Sequence, residues 1–182
     1  MSKRELIVLI AGVVVIAAAA GAYVWVLQPR LREEPERRST LRNLQEIGDA
    51  LVRYAREHDD TFPTSFAVLL KEGYLDEPRA FINPASGNDV PEDFPREDLK
   101  SADMSVLATV DTWSDYVLVT AIKRLPARRD LKGPLGKRIK VHEKPGDADI
   151  VQCFLLDGSI KEVPKGRLED RLKKESSEAD GG

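Results

Sequence analysis

Carboxylates and imidazoles set where charge is costly or crowded are the residues of this chain that could do chemistry. Glu5 stands at the head of an uncharged run of 22 residues, Leu6 to Leu27. A carboxylate drawn into lipid is expensive and tends to be kept for a function. The plainer reading sets Glu5 at headgroup level beside Arg4, fully hydrated. Asp147, Asp149 and Asp157 are hard oxygen donors of the kind calcium takes in numbers from a flexible loop. Their spacing fits no defined calcium motif, and acidic loop residues are commonly just solvated. The two histidines are His58 and His142. His58 beside Asp59 and Asp60 has the makings of an acid–base group or a metal ligand. A solvated helix end explains it more simply, because an imidazolium there suits the helix dipole. Cys153 is the single cysteine; it can form no internal disulfide and reads as a small buried apolar residue of a strand. No HExxH, CxxC, Gly-rich phosphate loop or Ser-His-Asp order is present. The expectation is a protein that is not an enzyme.

The elements that must position these residues fall into two solvents. The 182-residue chain carries 59 charged side chains, and only Lys3, Arg4 and Glu5 lie in its first 27 residues. A helix of 22 residues is about 33 Å long, enough to cross a hydrocarbon core of about 30 Å. Tyr23 and Trp25 sit near one end of the run, where an aromatic belt would lie. Gly12 and Gly21, with the alanines at 11 and 17–20, offer a small-residue face for helix packing; small residues also simply fill anchors. Lys3 and Arg4 ahead of Ala20-Gly21-Ala22 have the form of a cleavable signal peptide, but the apolar run continues beyond that site, so a retained anchor is expected. The rest of the chain has 26 Lys and Arg against 30 Asp and Glu. That balance has no footprint for nucleic acid.

Residues 1–28 are therefore read as a transmembrane anchor and 29–38, between Pro29 and the helix start, as a charged stalk. A soluble domain follows over 39–166. Leu41, Leu44, Ile47, Leu51, Tyr54 and Ala55 recur at helical spacing and predict an amphipathic helix from Ser39 to His58, capped by Ser39 or Thr40. Thr64 or Ser65 caps a second short helix that runs to Glu72, with Gly73 as its left-handed terminator. Residues 83–98 are loop. Strands are predicted over 116–122, 138–142, 150–156 and 159–163. Asp157-Gly158 between the last two predicts a hairpin with a type I′ turn. A short helix over 167–174 and a disordered tail over 175–182 complete the chain. The expected fold is α+β, with the amphipathic helix packed on a small antiparallel sheet.

Three stretches in this order resemble the type IV pilin and type II secretion pseudopilin family, most nearly its planctomycete-type pseudopilin-like members. They are Glu5-Leu-Ile-Val-Leu-Ile-Ala-Gly at the head of the anchor; the block Arg42 to Leu75 with its Phe62-Pro63 turn, followed by Asn83-Pro84-Ala85-Ser86-Gly87; and Ile150 to Pro164 with its Asp-Gly turn. The resemblance implies an inner-membrane, single-pass structural subunit with its domain outside the cytoplasm. Its partners would be the lipid bilayer and homo- or hetero-oligomers of pilin-like subunits. Glu5, Gly12 and Gly21 would serve assembly. No cofactor is implied, but calcium binding in a late loop of some family members keeps Asp147, Asp149 and Asp157 as candidates. The resemblance also sets the N-terminus in the cytoplasm, against a bare count of the arginines at 30, 32, 37, 38 and 42. Met1-Ser-Lys-Arg lacks the leader glycine of prepilins, so a permanently anchored relative is expected. The alternatives are an anchored binding module that joins no filament and a domain secreted after signal-peptide cleavage.

Overall fold

A helix over 37–57, α1, is the first element of the computed structural model, which describes residues 37–125, 130–146 and 149–180. The apolar stripe of α1 turns inward as its period dictates: Leu44, Ile47, Leu51 and Ala55 have no exposed surface. The helix is already formed at residue 37, so Ser39 and Thr40 do not cap it. Thr40 Oγ1 instead donates to Asn83 Oδ1 at 2.7 Å. At the other end, Asp59 and Asp60 both take left-handed backbone angles, φ 52° and 59°. Aspartate tolerates that region better than most residues, and two in succession turn the chain out of the helix.

The short helix α2, Phe66–Lys71, forms as the sequence predicts, with the Ser65 side chain accepting from the Ala67 N–H at its start. Gly73 terminates it at φ +76°. The chain then crosses residues 76–103 with one 3-10 turn, Pro78–Phe81. Two one-turn helices follow, α3 at Met104–Leu107 and α4 at Val110–Trp113. The Asp111 carboxylate of α4 reaches back to the start of α2, accepting from the Phe66 N–H at 3.0 Å and from the Ser65 hydroxyl.

Four strands then form an antiparallel meander in chain order: β1 Tyr116–Leu118, β2 Ile139–Glu143, β3 Ile150–Leu155 and β4 Ile160–Pro164. The sequence reading therefore has the fold class right. The predicted strand to residue 122 ends four residues early, and Lys140 is the reason. The β2–β3 register runs Val141↔Phe154 and His142↔Cys153, then shifts to Ile139↔Leu155. Lys140 is the extra residue of this β-bulge, and a bulge re-aims the strand on either side of it. Ile139 consequently faces one side of the sheet and Val141 the other. The Lys140 ammonium donates to the Val119 and Ile122 carbonyls, both at 2.8 Å, drawing that backbone off the strand path.

The β3–β4 turn also differs from the expectation. Phe154 pairs with Ile160 and the Leu155 N–H donates to the Ser159 carbonyl at 2.9 Å, which leaves Leu156, Asp157 and Gly158 as a three-residue loop. Gly158 has φ +83°, and its N–H donates to the Leu155 carbonyl at 3.0 Å. Only glycine takes positive φ here, as in a type I turn closed by a left-handed residue; the type I′ turn would need it at Asp157 as well.

The largest departure is at the C-terminus. A 16-residue helix, α5, runs Lys165–Asp180 without an intervening linker after β4. It takes in the short helix predicted over 167–174 and, as far as residue 180, the tail predicted to be disordered. Leu168 is buried and Leu172 half-buried against Ile139, Val151, Cys153, Leu155 and Val163. Three residues further round the same face, the buried Glu175 accepts the Ile139 N–H at 2.8 Å and Arg171 Nε at 2.9 Å. β3 thus alternates between two cores, Val151, Cys153 and Leu155 under α5 and Phe154 under α1. At the α1 contact, a Cβ built on Gly48 would lie 2.3 Å from the Phe154 ring. The ring sits directly against helix backbone, and glycine is what leaves room for it.

Candidate interaction surface

The inward turn of the α1 stripe leaves Arg42, Glu46, Asp49, Arg53 and Arg56 outward. Beside them stand Leu131 and the 156–158 loop. Together they bound a groove of about 790 Å³ whose apolar floor comes from Val52, Leu131, Phe154 and Leu156. Arg53 donates to the Tyr74 carbonyl at 2.7 Å, and Asp49 accepts from Gln45 at 3.0 Å. Asp157 is paired with Lys137. Burial works to raise the Asp157 carboxyl, but the bonds from Lys137 and Ser159 outweigh it and hold it below the usual carboxylate range. A second, more polar groove of about 500 Å³ adjoins the first through Arg42 and Glu46 and ends on the 77–89 loop.

That loop is held from below by a carboxylate hub. Asp115, nearly buried, accepts from the Asn83 N–H at 2.9 Å, Ser86 Oγ at 2.7 Å and Asn88 Nδ2 at 2.7 Å. Asn83 Nδ2 donates to Glu143 at 2.9 Å, and the other Glu143 oxygen accepts the Gln152 N–H at 2.8 Å. Burial and the nearby Asp115 raise the Glu143 carboxyl above its ordinary value, against the Gln152 bond that lowers it. The Asn83–Gly87 stretch is therefore fixed to the sheet by side chains 29 to 60 residues away in sequence. Each carboxylate oxygen of Asp115 and Glu143 accepts at least one of these hydrogen bonds.

The sequence-predicted residues lie as follows. Glu5, Gly12 and Gly21, with the whole apolar run, fall outside the described residues, as does Asp147. Among the described residues no helix is long and apolar enough to cross a membrane. Asp149 precedes β3, and Asp157 follows its far end. The six strand residues between them span about 20 Å. Calcium–oxygen bonds of about 2.3–2.6 Å cannot bridge that gap. Asp149 and Asp157 do not share an ion, and the three-aspartate set is corrected on that ground. Among the described residues no group of three or more His, Cys, Asp or Glu is placed to hold a metal.

His58 is not a free helix end. Its Nδ1 lies 2.9 Å from the Tyr54 carbonyl and its Nε2 3.2 Å from Glu72. Its ring stacks on Tyr54 at 3.9 Å. Tyr74 closes the cluster edge-on to Tyr54 and donates its hydroxyl to Glu57 at 2.6 Å. These contacts tie the end of α1 to the end of α2. His142 is buried in β2, and burial lowers its pKa. Cys153 has no exposed surface, and burial pushes its thiol up to about 12, which leaves it protonated and unreactive in the fold.

Sequence reasoning passed over Lys140, Asp115, Glu143 and Glu175. The signal for Lys140 is a charge inside the β-pattern Ile-Lys-Val. For Glu175 it is spacing, since Leu168, Leu172 and Glu175 share one helical face. No known family model matches this chain, and none of the curated proteins or solved structures matches it significantly.

Proposed function

We propose that this chain is a membrane-anchored structural subunit of the pilin and pseudopilin kind, with its α+β domain outside the cytoplasm and assembly as its work. The observation that carries the reading is an order of elements. An uncharged 22-residue run precedes an amphipathic helix seated on a four-stranded antiparallel meander whose last hairpin turns on Asp-Gly. The side chains that meet in the domain bond to backbone, to one another and to core. The space left open lies along the outer face of α1, where a neighbour's surface fits better than a small substrate: the groove is long, mixed in charge and apolar at its base. In this reading the run Leu6–Leu27 packs laterally in the bilayer through Gly12 and Gly21, and Glu5 meets a neighbour's cation at its end.

Membrane fractionation, with protease added to intact spheroplasts, tests anchoring and sidedness together. The expected result is a full-length protein in the membrane pellet, with its domain cleaved from outside. Recovery of the uncut chain as a soluble monomer without detergent defeats the reading. Crosslinking through a cysteine introduced in the anchor separates a laterally packed subunit, which gives ladders, from an anchored module that stands alone.

A further inference from the structure

His58 follows the end of α1 with both ring nitrogens engaged. Nδ1 lies 2.9 Å from the Tyr54 carbonyl and Nε2 3.2 Å from a Glu72 carboxylate oxygen. A carbonyl and a carboxylate only accept. A neutral imidazole carries one N–H, so it serves one of them and turns a lone pair on the other. The imidazolium alone donates to both. Its ring also lies flat on Tyr54, with 3.9 Å between centroids and 5° between planes, and an aromatic face attracts a cation. Positive charge suits the C-terminal end of a helix, which is where His58 stands on α1. Glu72 stands at the same end of α2, where its own charge is unfavourable without a cation, and the neighbouring Lys71 is turned to the Ala102 carbonyl at 2.8 Å.

The other charged groups of this corner are already engaged or face away. Glu57 accepts from the Tyr74 hydroxyl, and Arg53 donates to the Tyr74 carbonyl. Asp59 and Asp60 follow in the chain as exposed residues, with Arg124 on the Asp59 carbonyl. Both tyrosines stay neutral through the physiological range. The bond to Glu57 pushes Tyr74 up to about 12, and burial, with Glu72 beside it, raises Tyr54. Histidine is the side chain that ordinarily changes charge between pH 5 and 8. We propose that His58 and Glu72 form a proton-dependent clasp between the ends of α1 and α2. Charged, the imidazole bridges the two helices. Neutral, it holds one acceptor only. The Tyr54 carbonyl is helix backbone and cannot move away, whereas Glu72 is a half-exposed side chain and can. The remaining N–H therefore stays on Tyr54, the lone pair at Nε2 faces Glu72, and the carboxylate turns out into water. An acid medium tightens the join, and a neutral or alkaline one loosens it. The clasp belongs to the folded domain and does not depend on the assembly reading.

A double-mutant cycle tests it. The full-length protein in detergent, His58→Ala, Glu72→Ala and the two changes together are each unfolded in urea at pH 5.5 and at pH 8.5, followed by circular dichroism. The two side chains are 37% and 40% exposed, so water screens the pair. The coupling expected at pH 5.5 is that of a surface ion pair, roughly two- to fivefold in the unfolding constant. At pH 8.5 it should vanish. The stacking on Tyr54 is lost with His58 in both backgrounds, and the titration of the buried Lys140 and His142 is common to all four proteins, so both cancel in the cycle. A coupling absent at pH 5.5 overturns the clasp. So does one as large at pH 8.5, which is what a hydrogen bond from a neutral ring to Glu72 would give.

Discussion

Replacing Gly48 with alanine adds one methyl group to α1 at the point where it meets the sheet. On propensity alone the change should help, by about 1 kcal/mol, because glycine is the poorer helix former. The local geometry says otherwise. The new Cβ would stand 2.3 Å from Phe154 Cε2 and 2.4 Å from Cδ2 and Cζ, whereas carbon atoms rest about 3.5–4.0 Å apart. More than 1 Å must be found. Phe154 has no exposed surface and is held in β3 between Val141 and Ile160 by register. The ring cannot swing into solvent, so either α1 lifts from the sheet or the ring leaves its rotamer. Overpacking costs about 1–3 kcal/mol, and an approach this far inside contact distance on a buried ring belongs in the upper part of that range, about 2–3 kcal/mol. After the propensity gain the net loss is about 1–2 kcal/mol, or roughly 2–6 °C in Tm for a domain of this size. Thermal unfolding of the full chain in detergent, followed by circular dichroism, measures it. Phe154→Leu is the control, since it removes the ring atoms that clash. In that background Gly48→Ala should be neutral or stabilising, and the two changes should be strongly non-additive. A Gly48→Ala protein as stable as the wild type, or one that loses the same amount in both backgrounds, would refute the packing argument.

Three further outcomes follow from buried polar groups. Burial pushes the Lys140 ammonium down to about 7, while its two carbonyl partners and the Phe62 ring, 4.3 Å from Nζ, favour the charge. Its folded pKa lies below its unfolded value, so between about pH 7 and 10 the unfolded chain binds the extra proton and stability rises with pH. Lys140→Met should lack that slope, and urea midpoints of both proteins measured across the window check it. Glu175→Ala leaves the Ile139 N–H without its acceptor and should cost about 1–3 kcal/mol; hydrogen exchange at Ile139 should quicken with it. Asp115→Asn turns a double acceptor into one that presents N–H groups to donors, which should cost about 2 kcal/mol and expose the 83–88 loop to limited proteolysis.

Much of the domain was legible from local chemistry. The α1 stripe, the Ser65 cap, the Gly73 terminator and the β3–β4 hairpin each depend on residues within a few positions of one another, so spacing and residue type suffice. The candidate surface was less so. Arg42 and Arg56 read only as the solvated face of an amphipathic helix. Their role as a groove wall depends on Leu131 and Leu156, which come from the far end of the domain. The tail over 175–182 looked too polar to fold. Two leucines and one carboxylate were enough to order it through residue 180, because a complementary sheet face and an unpaired N–H were waiting for them.

Composition and period by themselves determined the α+β class and the order of the elements over the described residues, since each follows from where apolar side chains can be hidden. Tertiary structure alone decided that the sheet is covered on both faces and that a bulge at Lys140 ends β1 early. Those outcomes hang on contacts between residues tens of positions apart, and a chain carries no record of such neighbours until it has closed upon itself.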